Sequence, residues 1–512
     1  MKKLIYILIT VPLLLTSCSE SFLDLVPESS ITTGNFYKTE AQFDQALVGA
    51  YAAIRGAKGS TAAWTMGEMR SDNTHLEFNI TNRGGGYVER EYTDFFLDNN
   101  QSNLVASKYN SCYIGIGRAN EILGFIPDAA LSQQAADNIT GQAKFLRALF
   151  YFDLVRYFGG VPLYLNSVKG VDDAYIQRSP VDEVYQAIEM DLQEAIQKLP
   201  ETDFPQNGRA TQGAARMLLA DVYLTRKNYS MAESELRNLL EIGYDLLPDY
   251  ASVFSLSNKN SVESIFEIQY QQGNQGQHSE FVYVFLPLAA DVSMLTGITS
   301  TNHQGGGWNM PTWELINSYE TGDQRLPASI AVAEGTGNIG NMFIEAVKSP
   351  INYTTPPGKR SYPYIKKYLH SHSLQQNTDD NFPIYRYSEA LLSLAEVLNE
   401  QGKATEALTY LNPVRIRAGL AASTETDQFL LREIIAHERR VELAFENKRW
   451  LDLVRTDKAI EVMTQHGEYL KDYYSGESYL PDFSYNVTQE RLLFPIPIRE
   501  VLIGNLEQNP GY

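Results

Sequence analysis

Apolar residues recur at helical spacing over much of this 512-residue chain. The first run begins after Thr39 and places four apolar residues on one helix face: Phe43, Leu47, Ala50 and Ile54. Three further runs predict helices over about 103–126, 136–158 and 181–198. The pattern therefore predicts a mainly α fold.

Two later segments each predict a helix, a short turn and a second helix. Their small and apolar residues share one spacing, at Ala220, Val222, Ala232 and Leu236 in the first and Ala395, Val397, Ala407 and Leu411 in the second. Such hairpins are tetratricopeptide-like, because alanines let paired helices pack closely. Ser230 and Glu233 predict a capping box at the start of one second helix. Helix packing without a common repeat ancestor is the alternative.

Two loop-rich blocks, about 57–100 and about 246–386, interrupt the helical pattern. Both contain a glycine triplet. The first is polar and rich in Gly and Asn, and the second has many Asn, Gln and Ser residues and apolar runs short enough for a few short strands. Long loops inside a domain are usually functional. We expect one domain over residues 41–512, in which a frame of helical hairpins carries the two loop-rich blocks.

The N-terminus has the pattern of a lipoprotein signal peptide. Two lysines precede an apolar run from Leu4 to Leu15, which is too short to span a bilayer. Leu15-Thr16-Ser17-Cys18 resembles the lipobox of bacterial lipoproteins, in which the peptide is cut before a cysteine that becomes lipidated. We expect a signal peptide over residues 1–17, lipidation at Cys18 and a lipidated tether over 18–40. An ordinary secretory signal that contains a cysteine is the alternative.

The net charge limits the classes of binding partner, and the cysteine content limits the possible disulfide bonds. With 42 basic and 62 acidic residues the formal net charge is −20. Nucleic acid is not an expected partner, since binding it requires basic surface, and a neutral ligand fits this charge best. With Cys18 lipidated, only Cys112 remains, so no internal disulfide can form.

Catalytic and metal-binding signatures are weak. His437-Glu438 begins like a zinc-protease motif, but Val441 stands where the second histidine is needed. His370 and His372 lie two apart in a polar segment, and a metal site would need further ligands. No hydrolase signature marks a carboxylate pair. The sequence therefore predicts neither a metal nor a cofactor, and with 62 acidic residues a facing carboxylate pair stays an open alternative.

Six motifs in order along the chain resemble one family. They are FLDLVPES at 22–29, FLRALFYFDLVRYFGGVPL at 145–163, YRYSEALLSLAEVLNE at 385–400, VRIRAGL at 414–420, ERRVELAFENKRWLDLVRT at 438–456 and LFPIPIREVLIGNLEQNPGY at 493–512. Together they resemble the SusD/RagB family of outer-membrane nutrient-binding lipoproteins from the Bacteroidetes. In the fifth motif, Trp450 is predicted to pack in the core.

The resemblance implies both a fold and a function. Members have tetratricopeptide-like helix pairs and a loop-rich ligand face, and they are not enzymes, so the resemblance predicts that this chain is not an enzyme. They sit on the extracellular face of the outer membrane, capture a nutrient that is usually an oligosaccharide, and deliver it to a SusC-like TonB-dependent transporter barrel. Peptide or glycopeptide capture by the same mechanism, a surface glycoside hydrolase and a pure assembly scaffold are the alternatives.

A sugar site needs flat aromatic platforms beside planar hydrogen-bonding side chains. The two loop-rich blocks supply nine candidates: Trp64, Asp72, Asn73, Arg83, Tyr92, Tyr283, His303, Gln304 and Trp308. Trp308 is the first choice, because it follows three glycines and a core residue is not expected there. Core burial is the alternative for Trp64, as loop capping is for Asp72 and Asn73. Trp313 begins an apolar helical pattern and is predicted to pack.

Overall fold

The computed structural model describes residues 36–78, 83–299, 305–338, 341–475 and 480–512. The helices of the first half are α1 (Glu40–Lys58), α2 (Thr61–Trp64), α3 (Gly85–Asp94), α4 (Asn103–Phe125), α5 (Gln133–Phe158), α6 (Val171–Ala174), α7 (Val181–Lys198), α8 (Gln212–Thr225) and α9 (Tyr229–Leu240). Those of the second half are α10 (Tyr250–Val253), α11 (Phe281–Val284), α12 (Ser293–Thr296), α13 (Trp313–Ser318), α14 (Arg325–Ser329), α15 (Tyr387–Glu400), α16 (Ala404–Arg417), α17 (Gln428–Glu442), α18 (Arg449–Arg455), α19 (Ala459–Tyr473) and α20 (Ile498–Gly504). A π-helical segment covers Thr65–Met69, and 3₁₀ turns cover Ile126–Asp128, Leu256–Asn258 and Gln489–Leu492.

Helix α5 lies at the centre of the main core, with α1, α4 and α7 packed around it. Its C-terminal half is apolar around almost its whole circumference, so neighbouring helices can cover every side. On α4, Gly115 lets the Phe150 ring come close, since a Cβ at Gly115 would lie 2.1 Å from Phe150 Cε2. The mainly α class and the four helices expected in this half are confirmed.

The two tetratricopeptide-like hairpins, α8–α9 and α15–α16, pack beside each other through α9 and α15. Glu233 of α9 accepts a 2.7 Å hydrogen bond from Lys403, between α15 and α16. The predicted capping box is wrong: α9 begins after Asn228 without a side-chain cap, and Glu233 instead pairs with Lys403 and Arg237. The Glu233 carboxylate, which the sequence pattern assigned to a helix cap, therefore forms ion pairs instead.

The strands are β1 (Thr74–His75), β2 (Val161–Pro162), β3 (Arg178–Ser179), β4 (Ser264–Ile268), β5 (Ala289–Asp291), β6 (Met310–Pro311), β7 (Ile330–Asn338), β8 (Asn341–Lys348), β9 (Arg360–Ile365) and β10 (Phe382–Arg386). Four of them form a sheet in the order β5-β8-β7-β9, with β5 parallel to β8 and the other neighbours antiparallel. Three two-stranded ladders pair β1 with β6, β2 with β3 and β4 with β10.

Both loop-rich blocks contain more regular structure than expected. The first holds α2, α3 and β1, and the second holds the four-stranded sheet, with one strand of nine residues. The residues at the start of β7 are buried in succession, so the strand lacks the polar–apolar alternation that would have marked it in the sequence. Its partners lie on other segments, which local patterns do not show.

Trp450 is a core residue, as predicted. Its ring meets the edge of Phe96 with the centroids 5.6 Å apart. The buried Arg70 guanidinium lies over the rings of Phe96 and Phe494, at 4.1 and 4.2 Å from their centroids, and bonds Asp98 at 2.5 Å. Trp450 and Phe494, from two C-terminal motifs, therefore pack in the core around the Arg70–Asp98 ion pair.

Cys112 is buried on α4, and burial raises the pKa of its thiol to about 12. It is therefore protonated and unreactive under ordinary conditions. None of the described helices combines the length and the apolar character that crossing a bilayer requires.

Candidate functional site

A cleft of about 310 Å³ opens beside β1, β6, β9 and the end of α19. Seven of its lining side chains are rings: His75, Phe78, Trp313, Tyr362, Tyr469, Tyr473 and Tyr474. We call this site the aromatic cleft. Its rings offer flat apolar faces, and the tyrosine hydroxyls add polar tips.

The β1–β6 ladder joins the two loop-rich blocks at the cleft. His75 is paired with Met310 and Thr74 with Pro311, across more than two hundred residues of chain. The amide of Glu77 donates to the Gly307 carbonyl at 2.9 Å and extends the contact. The first block and the insertion therefore meet at one site, although with other residues than the sequence suggested.

Thr312 places Trp313 on the wall of the cleft. Its hydroxyl caps α13 by accepting from the Leu315 amide at 3.0 Å, and it donates to the Asp72 carbonyl at 3.1 Å. Trp313 is half-buried and stacks on Tyr353, with the centroids 5.9 Å apart and the planes 6° from parallel. Trp313 therefore packs as expected and also lines the cleft.

Three tyrosines at the end of α19 form the opposite wall. Tyr469 and Tyr473 are four residues apart, and their rings lie side by side with centroids separated by 6.2 Å. Tyr474 meets Tyr473 edge-on at 4.9 Å. Tyr473 is 45% exposed, so it is the ring that a ligand can reach most easily.

Two histidines support these rings from below. Burial lowers the pKa of His75 to about 4, so its imidazole is neutral at physiological pH. The Tyr474 hydroxyl lies 3.2 Å from His75 Nδ1. Buried His466 stacks on Tyr469 at 6.2 Å and places its Nδ1 2.9 Å from a Glu314 carboxylate oxygen.

Glu77 and Arg360 are the carboxyl and guanidinium groups of the cleft lining. Glu77 is buried, and burial raises its pKa to about 8. Its Oε2 accepts from the Leu288 amide at 3.1 Å, whereas Oε1 has no hydrogen-bond partner among the described residues. Arg360 Nε donates to the Gly337 carbonyl at 2.9 Å.

Asp72 and Asn73 support the floor of the site and do not face a ligand. Asp72 is buried and is paired with Arg440 and Arg449 at 2.8 Å. Asn73 is buried as well, donating to Glu68 at 3.0 Å and accepting from Arg440 at 2.9 Å. Burial alone would raise the pKa of Asp72. The guanidinium groups of Arg440 and Arg449 outweigh this effect and hold that pKa well below its usual range. Both residues are structural, which corrects their assignment to ligand binding.

Trp64 and Tyr283 also lie in the interior. Trp64 is 4% exposed, with Phe281 and Phe285 at centroid distances of 5.8 and 5.4 Å. Tyr283 is 2% exposed, and its hydroxyl lies 2.6 Å from Nε2 of His372. Neither ring offers a face to a ligand, so the structure removes both from the candidate set.

Trp308 is half-buried and lies outside the cleft lining. It packs on Met69, Leu76 and Tyr87, and the Arg90 guanidinium covers it at 3.7 Å from a ring centroid. The glycines before it suggested an open platform. They instead allow close backbone contacts, since a Cβ at Gly305 would lie 2.2 Å from the Pro287 carbonyl oxygen.

The remaining candidates are peripheral or undescribed. Arg83 forms a two-fold ion pair with Glu91 at 2.7 and 2.8 Å. Tyr92 is 41% exposed on α3 and does not line the cleft. His303 and Gln304 lie outside the described residues, as does Cys18.

Residue-by-residue reasoning missed most of the cleft. Its tyrosine wall carried one signal, EYLKDYY at 468–474, in which three tyrosines share one end of a helix. A cluster of this kind beside a polar Gly/Ser-containing segment is unusual for a purely buried face. Phe78 and Tyr362 carried no signal, because only the tertiary contacts bring them to the site.

The cleft has binding chemistry without the pair of groups that glycoside hydrolysis uses. Hydrolysis employs two carboxyl groups facing each other, and Glu77 is the one carboxyl among the described lining residues. In the described part of the chain, no group of three or more His, Cys, Asp or Glu side chains could hold a metal ion. His370 is engaged by Asp380 and His372 by Tyr283.

Two family profiles match the chain. The profile of the SusD family matches residues 262–512, and a profile described as starch-binding associating with outer membrane matches residues 21–224. SusD-like protein P2 of Formosa agariphila is 28% identical and aligns over 100% of both chains. A SusD-like protein of Bacteroides ovatus is 24% identical over 100% of this chain and 98% of its own.

Solved structures share the fold. A laminarin-binding SusD-like protein is 26% identical, with a TM-score of 0.74 over 93% of this chain and 100% of its own. Surface glycan-binding protein A from Bacteroides thetaiotaomicron has a TM-score of 0.73 over 93% of this chain and 100% of its own, at 22% identity. These names describe binding and not catalysis, in agreement with the prediction that the chain is not an enzyme. Fold, motifs and relatives agree: the chain belongs to the SusD/RagB family.

Proposed function

We propose that this protein binds an oligosaccharide in the aromatic cleft and passes it to a TonB-dependent transporter in the outer membrane. The observation that carries the proposal is the ring-lined cleft itself, with tyrosine hydroxyls beside flat apolar faces. The C–H faces of a sugar stack on such rings, while its hydroxyl edges bond polar tips. A laminarin-binding relative with the same fold supports a glycan as the ligand class.

The size and chemistry of the cleft predict modest affinity. Each stacked ring contributes about 0.5–1.5 kcal/mol beyond area burial, and each hydrogen bond about 1 kcal/mol net. After the entropy costs of association, these contacts give dissociation constants in the micromolar to millimolar range. Such affinity suits a protein that must release its cargo.

The membrane part of the proposal rests on the sequence and the family. Residues 1–17 are removed as a signal peptide, Cys18 carries the lipid, and residues 41–512 act as one ligand-binding domain. One acyl chain anchors a protein only marginally, but bacterial lipoproteins carry several. Co-purification of the full-length protein with a SusC-like barrel from detergent-extracted outer membranes tests the partner, and its absence from such extracts would contradict delivery.

The ligand is tested by calorimetry with a panel of oligosaccharides and peptides, using a pair of matched variants. Tyr473→Ala removes a cleft ring that is 45% exposed, and Tyr92→Ala removes a ring that is 41% exposed outside the cleft. We expect the first to weaken oligosaccharide binding by about five- to tenfold and the second to leave it unchanged.

Circular dichroism of both variants checks that the fold is intact. Equal affinities for Tyr473→Ala and the wild-type protein would move the glycan site elsewhere. Binding of peptides, with no oligosaccharide bound, would replace glycan capture by peptide capture. New reducing ends in the incubated oligosaccharides would indicate a hydrolase instead.

A further inference from the structure

The aromatic cleft does not share the excess of acidic residues found in the whole chain. The chain carries a net charge of −20, yet Arg360 is the one Lys or Arg among the described lining residues. Arg360 forms no ion pair within 4 Å with any described carboxylate. Its positive charge is therefore not neutralised by a direct partner.

Glu77, the one carboxyl in the described lining, does not cancel that charge. It is 3% exposed, and its Oε1 has no hydrogen-bond partner within 3.5 Å among the described residues, although Tyr362 and Arg360 lie near enough to oppose the rise in its pKa. Because burial raises its pKa to about 8, Glu77 is mostly protonated at neutral pH. A protonated carboxyl can donate a hydrogen bond, and an unpaired buried oxygen is costly unless a ligand or water satisfies it.

Three carboxylates on segments that adjoin the cleft are engaged by protein groups, whereas Glu468 and Asp472 of α19 are exposed to solvent outside the lining. Glu314 contacts His466 at 2.9 Å, and Glu334 accepts from the Tyr353 hydroxyl at 2.7 Å. Glu345 forms an ion pair with Lys359. Within the lining itself the charge without an ion-pair partner is therefore that of Arg360, and solvent and salt screen the exposed carboxylates outside the lining.

We propose that the aromatic cleft prefers glycans with an anionic substituent, a carboxylate or a sulfate ester, which Arg360 binds as a cation while the Glu77 carboxyl donates a hydrogen bond. This rests on the proposed function and narrows its ligand class. It departs from the neutral ligand that the net charge of the chain suggests. An arginine fork is suited to planar carboxylates and to sulfate oxygens alike, so the two sources share one chemistry.

Three oligosaccharide probes of equal chain length separate the possibilities: neutral laminarin fragments, oligogalacturonides with carboxylates, and ι-carrageenan fragments with sulfates. Calorimetry at physiological ionic strength is expected to show at least one anionic probe binding about tenfold more tightly than the neutral one. Which anionic probe binds tells carboxylate from sulfate recognition. Equal or tighter binding of the neutral probe would overturn the inference but leave glycan capture intact. Binding of none of the three would overturn both.

Matched variants assign the effect to Arg360. Arg360→Gln should weaken binding of the anionic probe about tenfold and change neutral binding less than about twofold. Arg499→Gln, an exposed arginine of α20 outside the cleft lining, should change neither. An unchanged anionic affinity in Arg360→Gln would overturn the proposal.

Glu77→Met tests the donor. Methionine is neutral, has a similar length and has no hydrogen-bond donor, so binding of the anionic probe at neutral pH should weaken about fivefold, and an unchanged affinity would remove Glu77 from the site. A tenfold gain would show that Glu77 is ionised and repels the anion, which would overturn its role.

Discussion

The Asp72 carboxylate accepts two hydrogen bonds from the Arg449 guanidinium, at 2.8 and 3.0 Å, although the two residues lie 377 positions apart. Arg449 belongs to the ERRVELAFENKRW motif by which the family was recognised, and the Asp72 carbonyl accepts from Thr312, which caps the helix carrying Trp313. The motif therefore supports the aromatic cleft without lining it.

Asp72→Asn should destabilise the protein by about 3–5 kcal/mol, because it leaves two largely buried guanidinium groups without their carboxylate. Urea unfolding followed by circular dichroism measures the loss. Asp182→Asn is the matched control, since Asp182 pairs with Arg226 but its side chain is 86% exposed. We expect about 0–1 kcal/mol there. Equal effects of the two substitutions would contradict a supporting role for Asp72.

Glu77→Gln should remove a pH-dependent loss of stability. The pKa of Glu77 is raised from 4.5 to about 8 by burial, so between these pH values the folded protein keeps a proton that the unfolded chain releases. Stability from this group is complete below pH 4.5 and is lost as the pH rises through about 8. The free energy of unfolding of Glu77→Gln, relative to wild type, should therefore increase over this window. Parallel curves for the two proteins in urea titrations would show that Glu77 titrates normally.

Trp64→Ala should cost about 3–5 kcal/mol of stability, as for a large ring removed from a core. Oligosaccharide affinity should stay within about twofold, since Trp64 packs on Phe281 and Phe285 away from the cleft. Tyr473→Ala should show the reverse pattern. Loss of affinity in a folded Trp64→Ala protein would place Trp64 at the ligand after all.

Trp308→Ala tests the residue that the sequence ranked first. From the sequence alone, we expect its removal to weaken glycan binding by at least about tenfold without unfolding the protein. With Arg90 stacked on the ring and the residue outside the cleft lining, the expected change falls to less than about twofold. Calorimetry with the best probe decides between the two values. A tenfold loss in a folded variant would extend the site to Trp308.

Cys18→Ala should leave folding and oligosaccharide affinity unchanged and abolish membrane retention. Fractionation of cells that lack the transporter measures retention by the lipid alone. A Cys18→Ala protein that still partitions with the outer membrane in such cells would contradict lipid anchoring at this residue.

The sequence predicted the helical frame well because helix periodicity is local. The run around Phe43 and the Ala220 and Ala395 hairpins carry their pattern within one or two turns, and each formed where expected. The four-stranded sheet was not predicted, since β7 is buried without alternation and pairs with distant segments. The capping box predicted for Ser230 and Glu233 does not form, because the Glu233 carboxylate pairs with Lys403, which is distant in sequence.

The aromatic residues show most clearly what local sequence patterns do not predict. A tryptophan has the same identity in a core and on a platform, and only its neighbours decide between them. Trp64 and Trp308 are covered by Phe281 and Arg90, whereas Tyr473 is left open at the end of α19.

By itself, the sequence determined the family, the helical frame, the expected anchor at Cys18 and the acidic net charge. The first three depend on patterns within contiguous residues, and the net charge depends only on composition. The tertiary structure alone decided which residues form the cleft. His75, Trp313, Tyr362 and Tyr473 come from four separate segments and meet through the β1–β6 ladder and the packing of α19. It also decided the surroundings of the two charged lining residues, since burial raises the pKa of Glu77 to about 8 and Arg360 has no ion-pair partner among the described carboxylates. Burial and long-range pairing depend on what each side chain packs against, and no local pattern contains that information.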